Sequence, residues 1–105
     1  MSNQPYSEQY RLLAEDWVDK DAAARLYEET KSIELARRKS LLNDMTDAKA
    51  DRIVRASPEW SEYIQRMVDS KTEANKAKLK LKVLEMRYYE HQSQNATARA
   101  EMRMG

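Results

Sequence analysis

The chain has no cysteine and no phenylalanine, and only one glycine, two prolines and one histidine among 105 residues, and each shortage removes a class of protein. Without cysteine there is no disulfide framework and no thiolate metal or nucleophile site, which fits a reducing compartment. One glycine and two prolines leave almost no material for the turns that a sheet requires. A single histidine, His91, and no glycine-rich phosphate cradle leave little from which to build a catalytic cleft, so the chain is not expected to be an enzyme and no cofactor is implied. No run of about 18 apolar residues is present to span a bilayer, and the polar opening Met1 to Pro5 does not resemble a signal peptide. These features predict a soluble cytoplasmic protein with no membrane partner.

What remains is helix material. Hydrophobic residues make up 41% of the chain and charged residues 35%, the mixture of long solvated helices and coiled coils. The net charge of +1 hides a gradient. Residues 1–35 hold four Lys/Arg against eight Asp/Glu, residues 36–69 seven against six, and residues 70–105 eight against four. A basic end on a nearly neutral chain suits an acidic partner such as nucleic acid, or the acidic end of another copy.

Pro58 is the one internal breaker. Ser57 can cap a helix, Pro58 fits the first helical position, where its missing N–H costs nothing, and Glu59 complements the positive end of the helix dipole. A long helix is predicted over 58–93, stopping at Gln92-Ser93-Gln94-Asn95, with a second over 21–56 folded back on it as an antiparallel, coiled-coil-like hairpin. Tyr6, Tyr10, Leu13 and Trp17 stand four, three and four apart, giving a short amphipathic helix over 6–20 that either caps the hairpin or extends the next helix. Residues 94–105 read as a short terminal helix or a disordered basic end, with Arg99 and Arg103 four apart on one face. The Asn95-Ala96-Thr97 triplet carries no weight as a glycosylation acceptor in a cytosolic chain.

The segment Asn75-Lys76-Ala77-Lys78-Leu79-Lys80-Leu81-Lys82-Val83-Leu84 alternates as a half-buried strand does, yet lies within helical surroundings. Steps of three and four from Trp60 resolve it: Trp60, Tyr63, Met67, Ser70, Ala74, Ala77, Leu81, Leu84, Tyr88 and His91 form an uncharged seam with a 3.5-residue repeat. Ser70, Ala74 and Ala77 are small enough for a close helix approach at its middle. Leu79 and Val83, with Val68 and Met86, fall about 200° away and form a second apolar stripe, so the helix is expected to bury two faces. The preceding helix supplies Ala23, Leu26, Tyr27, Thr30, Leu41, Met45 and Ala48 on one side, interrupted by Arg37. The monomer core is thin, and homo-oligomerisation through the seam or the stripe behind it is expected.

Two basic rows flank these stripes: Lys76, Lys80 and Arg87 on one side, and Lys71, Lys78 and Lys82, with Tyr89 close by, on the other. Such rows could track a phosphate backbone while Tyr89 stacks on a base. Equally, they could solvate the flanks of a coiled coil and pair with acids of the first helix. His91, at a seam position, reads first as a packing or capping residue and second as a pH-sensitive or binding group. The neighbours Glu15/Asp16 and Glu28/Glu29 do not face one another on a helix, whereas Glu34 and Arg38 are placed for an ion pair.

The Lys76-Ala77-Lys78-Leu79 helix, followed by Arg87-Tyr88-Tyr89 and preceded by another charged helix, resembles the UvsY-like recombination mediators of tailed phages. The closing Asn95-Ala96-Thr97-Ala98-Arg99-Ala100-Glu101-Met102 resembles the end of short helical phage-encoded proteins. The resemblance implies an oligomeric or ring-forming helical protein that binds single-stranded DNA and helps to load a recombinase, with Lys76, Lys78 and Arg87 as the matching cations. From another class, a helical adaptor or phage-encoded inhibitor would dock on a host protein complex through an apolar face or through acids including Asp16, Asp19, Asp21, Glu28 and Glu29.

Overall fold

A computed structural model describes residues 4–104 of the chain. Gly105, at the end of the predicted basic tail, lies outside the described residues. Three helices follow one another: α1 over Tyr6–Ser40, α2 over Asp47–Arg55 and α3 over Pro58–Met104, with no strand among the described residues. Helices α1 and α3 pack along each other as an extended hairpin within a rod of 86 × 20 × 19 Å.

The N-terminal segment is not a separate helix. The spacing of Tyr6, Tyr10, Leu13 and Trp17 runs on unbroken through Lys20, Ala24, Tyr27, Lys31, Glu34 and Arg38, and residues 6–40 form one helix. The expected helix over 21–56 is broken at 41–46. Ser40 Oγ donates to the Arg37 carbonyl at 2.6 Å, competing for the helix end, and Thr46 starts α2 by accepting from the Lys49 amide at 3.3 Å. Lys39 Nζ reaches Asp47 at 2.8 Å, which ties α2 to the end of α1 and raises the lysine's pKa through the hydrogen bond to that carboxylate. The Ser57-Pro58 start stands as read: Ser57 Oγ accepts from the Trp60 amide at 3.2 Å while donating to the Val54 carbonyl at 2.6 Å. The predicted stop at Gln92–Asn95 does not occur. Nothing there blocks the backbone, and α3 continues to Met104. Since Tyr6 lies against Tyr88 and His91, the last thirteen or so residues of α3 project beyond the start of α1.

Most of the core is one seam between α1 and α3. Trp60, Ala74, Ala77, Leu81 and Leu84 are buried along α3, with Ala77 at 2% exposure, and Tyr63, Met67 and Ser70 are half-buried. Tyr88 is partly exposed and His91 exposed at the open end. On α1, Ala24 is buried and Tyr27 and Thr30 are half-buried, but Leu26 is exposed and Ala23 faces out, so the facing side of α1 is rotated from the expected one; Leu41, just past its end, is exposed as well. The expectation of two buried faces on α3 fails within the hairpin. One partner helix covers one face, and Val68, Leu79, Val83 and Met86 remain exposed, Leu79 at 61%.

At the closed end Ala50 and Val54 of α2 are buried, and aromatic and charged groups add to that apolar packing. Trp60 and Tyr63 stack at 5.4 Å, and the Arg38 guanidinium lies 6.0 Å from each ring. Tyr63 OH donates to the Tyr27 carbonyl at 2.9 Å and sits 3.1 Å from the Thr30 hydroxyl. Glu34 accepts from Arg37 and from Arg38, and those hydrogen bonds hold its carboxyl well below the usual value, at about 2. Because the folded-state pKa is depressed from 4.5, this stabilisation is complete above about pH 4.5 and lost as pH falls toward 2. Thermal melts should therefore show wild type exceeding Glu34→Gln at neutral pH, with the difference shrinking between pH 4.5 and pH 2; a constant difference would contradict the assignment.

Candidate nucleic-acid interface

The basic rows of α3 lie on the same unbroken helix, so their positions follow from helical geometry; their partners do not. Lys71 Nζ reaches across the hairpin to Glu28 at 3.1 Å. Lys76 lies 3.8 Å from Glu73, one turn back on its own helix. Lys78 Nζ sits 5.9 Å from the centre of the Trp17 ring, a cation–π contact that ties it to α1. Lys80, Lys82 and Arg87 are exposed and form no ion pair among the described residues. Tyr89 is 69% exposed, its ring edge-on to Tyr88 at 5.7 Å. The predicted rows thus divide: Lys71 and Lys78 reach across to α1, Lys76 is paired along its own helix, and three cations are open.

The predicted interface residues Trp60, Tyr63, Met67, Ala74, Ala77, Leu81, Leu84 and Tyr88 lie along the contact between α1 and α3 within one chain. Sequence reasoning missed a tyrosine cluster at the open end of the hairpin. Tyr6 meets Tyr88 edge-on at 5.4 Å, and a shallow cavity of about 350 Å³ lies among Tyr6, Tyr10, Leu84, Glu85, Tyr88 and Tyr89. Its signal was present: in an antiparallel hairpin turning at 41–57, the aromatic start of α1 must return beside the tyrosine pair of α3. His91 stands 5.7 Å from the Tyr6 ring, with Asn95 Nδ2 at 3.2 Å from its Nε2, so it belongs to this end rather than to a helix terminus.

The acidic third of the chain is largely paired. Asp16 is bridged to Lys20, Asp21 to Arg25 and Glu28 to Lys71, each within 3.1 Å. Arg11 binds Glu8 and Glu15, and its hydrogen bond lowers the Glu8 pKa below the usual carboxylate value. Asp19 and Glu29 have no ion pair among the described residues. No helix is long and apolar enough to cross a membrane among the described residues. No family model, no curated protein and no solved structure matches the chain.

Proposed function

We propose that the protein is a non-catalytic helical binding protein that holds single-stranded nucleic acid along α3, as an accessory factor of DNA recombination of the phage type. The observation that carries this reading is that Lys80, Lys82 and Arg87 are open to solvent, Lys80 and Arg87 on one side of the outer stripe of α3 and Lys82 on the other, the side that also carries the exposed ring of Tyr89. Unpaired cations release counterions from phosphates, and a tyrosine face stacks on any base, so the chemistry favours a strand read without sequence preference. The Tyr6 and Tyr10 rings next to Tyr88 add further aromatic surface at the same end. The resemblance of the Lys76 to Tyr89 stretch to UvsY-like mediators points the same way and adds a recombinase as the protein partner.

Retardation of a fluorescent oligo-dT by nuclease-treated protein tests this. Engagement of three to five phosphates predicts a log–log salt slope of about −2 to −4. No retardation at low salt overturns the reading.

The exposed stripe of Val68, Leu79, Val83 and Met86 favours a second reading, an adaptor or inhibitor that docks on a host protein complex. Under it, Asp19→Asn and Glu29→Gln abolish function while Lys80→Glu does not, and the nucleic-acid reading requires the reverse.

A further inference from the structure

The cavity at the open end of the hairpin has walls of one chemistry. Tyr6 and Tyr10 of α1 and Tyr88 and Tyr89 of α3 form its sides, with Leu84 of the seam and Glu85 beside them, around about 350 Å³. No residue lining it carries a positive charge. The rings are not stacked. Tyr6 meets Tyr88 at 73° and Tyr88 meets Tyr89 at 67°, both edge-on, an arrangement that leaves ring faces bare where stacking would cover them. Tyr10, Tyr88 and Tyr89 are exposed. Glu85 is exposed too and has no ion pair among the described residues, although Lys82 lies one turn before it on the same helix.

We propose that this cavity binds a methylated, quaternary ammonium group. An aromatic face is electron-rich and attracts a cation lying over it, and several faces around one space add their attractions. The Glu85 carboxylate supplies the opposite charge at the same place. An anion would be repelled by both, and a neutral ligand of the same shape would gain only apolar contact.

Hydration selects the methylated cation over a primary amine. A primary ammonium carries three N–H donors and is strongly hydrated, and water serves those donors better than one carboxylate among tyrosine rings does. Methyl groups remove the donors and set apolar surface against the rings. The volume stands near the lower end of the roughly 300–1,000 Å³ of small-molecule sites, so it suits a compact head and not an extended ligand. Free choline and a trimethylated lysine side chain share this chemistry. The inference does not rest on nucleic-acid binding, which uses the open cations Lys80, Lys82 and Arg87.

Isothermal titration of choline into nuclease-treated protein tests it. Choline should bind saturably with a Kd of about 1 mM or below. Its neutral carbon isostere, in which a tert-butyl group replaces the trimethylammonium head, should bind at least about tenfold more weakly. Trimethyl-lysine amide separates the two sources of the group: binding tighter than that of choline assigns the site to a methylated protein side chain, and weaker binding assigns it to a free amine. Glu85→Gln and Tyr89→Ala alter exposed side chains, so each should leave the melting temperature nearly unchanged while weakening choline binding by about two- to thirtyfold. No saturable binding of choline, binding no tighter than that of the neutral isostere, or undiminished binding by either variant overturns the proposal. Because no nucleic acid is present in the titration, such a failure leaves the reading of α3 as a nucleic-acid surface standing.

Discussion

Lys80→Glu/Lys82→Glu/Arg87→Glu should abolish retardation of single-stranded DNA at low salt. The change removes three open cations and adds three anions, taking the formal net charge from +1 to −5. It touches no ion pair and no buried side chain, so circular dichroism should show the hairpin intact. With these phosphate contacts gone, any residual binding should show a salt slope flatter by about 2. Tyr89→Ala should act differently, weakening binding roughly five- to 150-fold, the loss of one stacked base, with an unchanged salt slope. Lys71→Glu provides the contrast: its partner is Glu28, so reversal should lower the melting temperature more than it lowers affinity. Undiminished retardation by the triple variant would remove α3 as the binding surface.

Trp60→Ala should be the most destabilising single change in the rod, by about 3–5 kcal/mol. Trp60 is buried, stacks on Tyr63 and faces the Arg38 guanidinium, so its removal leaves a cavity and takes from that cation one of its two aromatic neighbours. Against a total stability of about 5–15 kcal/mol this is a large fraction, and the melting temperature should fall by at least about 10 °C. Leu79→Ala, on the exposed stripe, should stay within about 0.5 kcal/mol when measured at concentrations too low for assembly. A Trp60→Ala protein that melts with wild type would mean that the closed end of the hairpin is not packed as described.

The seam of α3 was legible because it is uncharged over ten successive positions and begins at an explicit cap and proline. Its partner face on α1 was not. Lys20, Lys31, Glu34 and Arg38 occupy inward positions there, where long side chains lay their stems along the contact and turn their charges out, while leucines and isoleucine point to solvent. A hydrophobic count therefore selected a side rotated from the true one, keeping Tyr27 and Thr30 at the contact but adding Ala23 and Leu26, which face out. The break at 41–46 carries no glycine or proline and opens with two leucines, so only Ser40, the Asn43-Asp44 pair and the Thr46 cap mark it. Of the candidate site, the positions of the lysines could be read from periodicity. Which of them would be consumed by Glu28, Glu73 and Trp17 depended on the hairpin register, which no single-helix pattern encodes.

The projection of α3 beyond Tyr6 has a consequence for how the backbone opens. Past His91 no second helix among the described residues shields the amides, and a stretch of about a dozen residues holds its shape only weakly by propensity. Deuterium uptake should be fast there and slowest around Ala74 to Leu84, where the seam is most continuously buried. Trypsin should clip first after Arg99 or Arg103, releasing a short peptide while the remainder keeps its melting point.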